Sequence, residues 1–322
     1  MLETDMIHAE AMPIMPPKTW EALVETCGGN PLHLPFAHEV DLSEKDRLHL
    51  VFQNDTNVVA CAIAYRQKAG WRKKDLYLPA PPAFVSPDMR EAVMQSLLDF
   101  ARRSGFREIH VAPHWGVTFD ALPSLSGHAE GVIIEFALDL SPDLETLLAG
   151  MHKVHRKNIR RAERNEIAVR QDRSLEALLS LRAMQEVAAE RSAERGGGFK
   201  VRDRAYFERV QERVYAPGFG ELLLAEQHGT PVAALAYLTG ARRAITVRSG
   251  ATPIGYETYA MYLLQYEVIK RAKERGSIEL NLGGVTEAAA EEGHPERGLY
   301  DFKRGFGGNA LRSTGLRVVV NP

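Results

Sequence analysis

One order of elements occurs twice along the chain, and it restricts the fold more than any single motif does. In the first half, residues 47–53 read as a strand, 54–57 as a turn and 58–65 as the partner strand. A short strand at 75–78, an amphipathic helix over 88–104 and a strand over 107–112 complete that unit. In the second half, strands at 221–226 and 232–238 flank a Gly-Thr-Pro turn. A third strand at 243–248, a long helix over 256–275 and a closing strand at 278–282 follow. Hairpin, strand, helix, strand, met twice, points to duplicated α/β domains. Residues 131–140 read as a strand between the two, and a helix is expected from about Asp143. The boundary is therefore placed at Ser141-Pro142, giving domains over 1–141 and 142–322 with no low-complexity linker between them.

Bulk properties set the limits. The 322 residues are 45% hydrophobic and 25% charged, which suits a globular chain large enough for two cores. The formal net charge of -2 gives no global basic field, so any contact with nucleic acid must come from a local patch. Cys27 and Cys61 form no metal-binding spacing and demand no oxidising compartment. No segment approaches the roughly 18 apolar residues of a membrane span, and the acidic start Met1–Met6 is unlike a signal peptide. A cytoplasmic location without membrane insertion is expected.

Three stretches carry chemistry. Near the C-terminus, Asn281-Leu-Gly-Gly-Val precedes Gly298-Leu-Tyr-Asp-Phe-Lys-Arg-Gly-Phe-Gly-Gly308. Leu299, Phe302 and Phe306 recur at helical spacing and are expected to share a buried face. Lys303 should emerge beside that face with its ammonium free to meet an anion. The glycines at 305, 307 and 308 should end the turn and admit close backbone approach. The second stretch, 151–164, places Lys153, Arg156, Lys157, Arg160 and Arg164 within one helical arc, opposite Met151, Val154, Ile159 and Ala162. With Glu163 as its one acid, this stripe suits phosphates of RNA or of a diphosphate-bearing substrate. His152 and His155 lack a carboxylate or thiol to complete a metal site and are taken as surface residues.

The third stretch follows the strand ending at Arg248. A CoA-dependent acetyltransferase would carry a glycine-rich phosphate cradle at this strand-to-helix turn. Here Pro253 removes a donor and Glu257 would repel phosphate, so the two halves read as acetyltransferase-type units without that cradle. Tyr256, Tyr259 and Tyr262 are read either as helix packing or as the lining of a cleft.

These residues together resemble the Fem family, aminoacyl-tRNA-dependent transferases that build peptidoglycan interpeptide bridges. The resemblance runs from about Met151 to Gly308. It rests on Arg160-Arg-Ala-Glu, Tyr259-Ala-Met-Tyr-Leu-Leu-Gln-Tyr-Glu, Leu282-Gly-Gly-Val and, most specifically, the Gly298–Gly308 motif. It implies tandem acetyltransferase-like (GNAT-type) α/β domains with mixed twisted sheets and flanking helices. The coiled-coil arm of some members is not expected here, since 174–214 is too short for it. The resemblance implies Lys303 as the catalytic residue and Phe302 beside it. Tyr256, Tyr259, Arg248, Gly283 and Gly284 are the further substrate-binding candidates. Aminoacyl-tRNA and a peptidoglycan precursor, nucleotide- or lipid-linked, are the implied partners, with no cofactor and no metal. The first half departs from the family at 31–41 and 78–88, so family positions there are not carried over and the acceptor stays open. Two alternatives stand beside this reading: a CoA-dependent N-acyltransferase with Tyr300 as an acid, and an RNA- or polyanion-binding module using the basic helix.

Overall fold

The protein, seen here as a computed structural model, is described over residues 7–38, 40–55, 57–70, 73–119, 127–194 and 196–321. The N-terminal reading at Met1–Met6, Glu39 of the divergent 31–41 segment and Thr56 of the first turn lie outside the described residues. Two compact units form, one from Met1–Ile133 with Arg312–Pro322, the other from Ile134–Leu311. The division thus falls at Ile134, ahead of the expected Ser141-Pro142, and the last eleven residues return to the first unit. The sequence placed 142–322 in one domain because nothing local marks the final strand as belonging to a sheet so distant in the chain.

The first unit contains β1 (His8–Met12), α1 (Pro17–Thr26), β2 (Arg47–Asn54), β3 (Asn57–Lys68), β4 (Lys74–Leu78), β5 (Ala83–Phe84), α2 (Arg90–Arg103) and β6 (Glu108–Val111). Then β7 (His128–Asp139) leads into the second unit. There follow α3 (Leu144–Gly150), α4 (Lys153–Arg164), β8 (Ile167–Gln171), α5 (Leu175–Ala193) and α6 (Arg204–Val210). After them come β9 (Gly220–Gln227), β10 (Thr230–Gly240), β11 (Arg243–Ala251), α7 (Pro253–Glu257), α8 (Ala260–Glu274), β12 (Glu279–Thr286), α9 (Arg297–Arg304) and β13 (Asn309–Val319). Asp143 caps α3, accepting from the Thr146 N–H at 2.7 Å, so the helix begins about where it was expected.

The duplicated order is real at the level of pairing. In the first unit β1, β2, β3 and β4 run in antiparallel succession and β4 pairs β6 in parallel, with α2 as the crossover. In the second, β8, β9, β10 and β11 are antiparallel in succession and β11 pairs β12 in parallel, with α7 and α8 between them. Each unit has its own core. In the first, Val93, Met94, Leu97 and Ala101 of α2 pack on Leu50, Phe52, Ala62 and Ile109 of the sheet. In the second, Leu263, Leu264, Val268 and Ile269 of α8 pack on Leu223, Leu235, Tyr237 and Leu280. Burying each such side chain contributes about 1.5–3 kcal/mol.

The single helix expected over 256–275 is instead two. Tyr259 takes a left-handed backbone, φ 63°, between α7 and α8. Such a conformation costs a bulky residue about 1–3 kcal/mol and persists only where the surroundings fix it. They do so here: the Tyr259 hydroxyl accepts from Arg161 at 3.0 Å, and the same guanidinium lies 5.2 Å from the ring centroid.

A buried ion cluster ties the second unit's connections together. Glu221 of β9 is fully buried and accepts from the Tyr237 hydroxyl, with Arg173 at 3.5 Å and Arg275, the residue capping α8, in direct contact. Removing one member of such a cluster strands the opposite charges. Glu221→Ala is expected to lower stability in urea by about 3–5 kcal/mol, more than Glu221→Gln, which still accepts from Tyr237. A loss below about 1 kcal/mol in equilibrium unfolding would mean that the arginines simply reach solvent.

Candidate functional site

Helix α9 carries the Gly298–Gly308 motif, and its inner side is aromatic. Phe306 is fully buried, 5.1 Å from the Phe302 ring, and Phe302 lies 5.0 Å from Tyr262 of α8. Tyr300 meets Phe136 of β7 edge-on at 5.2 Å, while Leu299 is exposed. The expected face of Leu299, Phe302 and Phe306 is therefore corrected: Tyr300 packs inward in place of Leu299, because its larger ring reaches Phe136. Outside the helix, Arg297 and Arg304 both pair with Asp301.

His155 of α4 completes the platform and corrects its reading as a surface residue. It is buried, and its ring stands edge-on to Tyr262 at 4.9 Å and to Phe306 at 4.7 Å. Its Nε2 lies 2.8 Å from the Phe302 carbonyl, which can only accept, so the proton sits on Nε2. Nδ1 has no partner among the described residues, and burial pushes the pKa down, so the imidazole is neutral. A Cβ on Gly305 would lie 2.0 Å from the His155 ring, so the glycine there serves close approach rather than a turn. The turn itself is made at Gly307, φ 90°. His152, by contrast, is exposed and caps α4.

Lys303 is not free, as its place beside the apolar face had suggested. It is half-buried and donates from Nζ to the Gly284 carbonyl at 3.0 Å. Gly283, the preceding residue, has φ 80°, and a Cβ there would stand 3.0 Å from the Lys303 ammonium and 3.0 Å from the Thr246 carbonyl. The double glycine of β12 is thus what lets the ammonium sit against backbone. Burial pulls the Lys303 pKa down to about 8, partly opposed by the fields of Glu135 and Glu296. Under the turn, Asn281 donates from Nδ2 to Glu135 at 2.8 Å and accepts the Gly283 N–H on Oδ1 at 2.8 Å. Both residues are fully buried. Neither was singled out from the sequence, although each is a lone polar residue in an apolar strand, Val-Ile-Ile-Glu-Phe-Ala-Leu and Leu-Asn-Leu. That is the signal that could have found them.

The basic stripe on α4 faces outward as expected. Lys153, Arg156, Lys157, Arg160, Glu163 and Arg164 line an open surface pocket of about 620 Å³. Among the described residues, Lys153, Lys157 and Arg160 have no carboxylate partner. Arg156 is engaged locally, donating to the Ala149 carbonyl at 2.7 Å and the Met151 carbonyl at 2.5 Å. The helix's inner face is His155, Asn158, Ile159 and Ala162. Val154, expected there, is exposed.

The remaining candidates divide. Phe302, Gly283 and Gly284 gather around Lys303. Tyr259 joins Arg161 and its ring lies 6.3 Å from Tyr262. Tyr256 lies under Arg191 at 3.9 Å, and Arg248 stacks on Tyr206 at 4.6 Å while donating to its hydroxyl at 2.8 Å. At the strand-to-helix turn, Thr252 caps α7 by accepting the Gly255 N–H at 3.1 Å, and a Cβ on Gly255 would meet the Val232 carbonyl at 2.1 Å. A donor that a pyrophosphate would need is already used.

In the first unit, Asp75, Glu108 and His110 place ligand-type atoms within 4.8 Å of one another. Their carboxylates are already met by arginine: Arg107 binds Asp75 through both Nε at 2.9 Å and Nη2 at 2.7 Å, and Arg317 binds Glu108 at 2.9 Å. The group reads as an ion-pair network. No helix among the described residues is long and apolar enough to cross a membrane.

The mixed antiparallel and parallel pairing met in both units gives the chain a tandem acetyltransferase-like fold. Residues 218–316 match the FemAB family. Among solved structures, FemX superposes with TM-score 0.77 at 16% identity, over 97% of this chain and 98% of that one. L-PGS from Bacillus licheniformis gives TM-score 0.54 at 18% identity, over 94% and 91%. A tandem GNAT protein from the clavulanic acid biosynthesis pathway gives 0.50 at 13%, over 98% and 99%. At these identities the likenesses establish the fold. None of the curated protein sequences matches the chain.

Filling the space at Gly305 tests the platform. Gly305→Ala should displace His155 and α9, costing about 1–3 kcal/mol in denaturant unfolding. The companion variant His155→Ala with Gly305→Ala should recover part of that loss. An alanine tolerated without cost would show that α9 can lift from the ring.

Proposed function

We propose that the protein moves an aminoacyl group from aminoacyl-tRNA to an amine of a peptidoglycan precursor peptide. The observation that carries this reading is the Lys303 ammonium fixed at the Gly283–Gly284 turn, inside the segment that matches the FemAB family. In the reaction the acceptor amine attacks the ester carbonyl at the tRNA 3′ end. A C–N bond forms, negative charge builds on the carbonyl oxygen, and the C–O bond to the ribose breaks. The proton lost by the amine ends on the ribose hydroxyl. Lys303, pre-positioned and poorly hydrated, stabilises the developing oxyanion, where a fixed charge is worth more than in water. The ester is already activated, so no covalent enzyme intermediate is needed. The donor's phosphates would lie along the outer face of α4, and a tRNA donor implies a cytoplasmic enzyme. The CoA-dependent alternative is disfavoured by the Thr252–Gly255 cap, which occupies a cradle donor.

The test incubates the protein with mixed charged tRNAs and candidate acceptors, among them nucleotide-linked and lipid-linked cell-wall precursors and an aminoacylatable phospholipid, and reads products by mass. A precursor peptide gaining one amino acid is expected. Product on the phospholipid alone would move the acceptor to lipid, and acylation only with CoA thioesters would overturn the reading. With the productive pair, Lys303→Ala should lower turnover by roughly a hundredfold or more. Lys303→Arg should not restore it, since a planar guanidinium cannot take the place of a compact ammonium. Near-normal turnover in the alanine variant would remove Lys303 from the chemistry.

A separate measurement concerns α4. Reversing charge at Lys157 and Arg160 together should weaken tRNA binding and reduce the salt dependence of its Kd, by roughly one unit of log–log slope for each phosphate no longer neutralised. An unchanged slope would leave the stripe a solvated face.

A further inference from the structure

The chemistry assigned to Lys303 requires an ammonium, yet its surroundings favour the neutral amine. What opposes them is built into the two strands beneath it. Glu135 of β7 is fully buried and bound by the Asn281 amide at 2.8 Å. The same Asn281 holds the Gly283 N–H, and its own carbonyl accepts the Thr246 hydroxyl at 3.2 Å. The Gly284 carbonyl, further along the same strand, receives the Lys303 ammonium at 3.0 Å. One amide side chain therefore joins the buried carboxylate to the turn that grips the lysine.

We propose that Glu135 is the resident counter-charge of Lys303, and that Asn281 couples it to the Gly283–Gly284 turn, so that the ammonium stays both charged and aimed. Glu135 acts through Lys303 and is a positioning residue. This rests on the reading of Lys303 as the acyl-transfer residue. Glu135 on β7 and Glu296 at the start of α9 are the carboxylates whose charge favours its protonated form. On α9 itself, Asp301 is already paired with Arg297 and Arg304. His155, from α4, is neutral and bonded to the Phe302 carbonyl. Of the two carboxylates, Glu135 acts more strongly, as expected for the one shielded from solvent.

The sign follows from lysine chemistry. Lys303 holds its proton below a midpoint of about 8 and loses it as pH rises through that value. Removing a nearby negative charge stabilises the neutral amine, so the midpoint must fall.

The experiment titrates Lys303 in the full chain, by 13C-methylating its lysines and following the Lys303 resonance, assigned by its loss in Lys303→Met. Glu135→Gln keeps the acceptor for Asn281 and removes the charge. Its Lys303 midpoint should fall by about one pH unit, and Glu296→Gln should move it less. An unchanged midpoint in folded Glu135→Gln overturns the proposal. Turnover gives a second readout: with a one-unit shift, Glu135→Gln should lose about fivefold more activity at pH 8 than at pH 6. A loss equal at both pH values would mark a merely structural residue. The titration needs no substrate, so it decides the pairing even if the donor and acceptor proposed above are wrong. Should Glu135→Gln fail to fold, the variant combining it with Lys303→Met decides. Recovery of folding when both charges go supports the pair, and continued failure overturns it.

Discussion

A charged lysine in a half-dry place is the constraint around which the second unit is arranged. The Lys303 ammonium loses much of its water, and its pKa falls to about 8 as a result. Backbone geometry supplies one compensation, the Gly284 carbonyl, reachable because Gly283 has no side chain and a positive φ. Buried Asn281 fixes that turn, and Glu135 fixes Asn281. The aromatic platform of Phe306, Phe302 and Tyr262 then sets the height of α9 above the sheet. Each part is ordinary alone. Together they hold one positive charge in a partly dry place, where water screens it less than at the surface and where, on the function proposed above, it would act on a developing oxyanion.

The basic helix and the lysine helix are joined physically. On α4, one face carries the cations around the surface pocket, and the other inserts His155 against the Gly305 backbone and under the Phe302 carbonyl. The peptide group beside Lys303 is therefore gripped by the same helix whose outer face suits a polyanion. A neutral imidazole serves this better than a charged one, since its single N–H matches the single carbonyl and its ring edge packs on aromatics.

Much of this was readable from residues alone, and the reasons are local. The hairpin–strand–helix–strand order is written in period-two apolar runs and turn residues, so both halves emerged with the right pairing partners. The Lys303 motif stood out because its glycines and phenylalanines crowd one short segment. Other features depended on partners far away in the chain. Leu299 and Tyr300 are both plausible inward residues on a helix, and only Phe136 chooses between them. Tyr259 breaks a helix that its sequence would continue, and its hydroxyl meets Arg161, 98 positions away.

By itself the sequence determined the element order and the outward cationic stripe of α4, since each follows from spacing within a few turns or strands. The tertiary structure decided that the last strand belongs to the first unit and that His155 is buried. It also decided that Lys303 answers to Glu135, 168 positions earlier. Those outcomes turn on desolvation and on contacts across long loops. Such energies depend on what surrounds a group in space, and no window of sequence contains that.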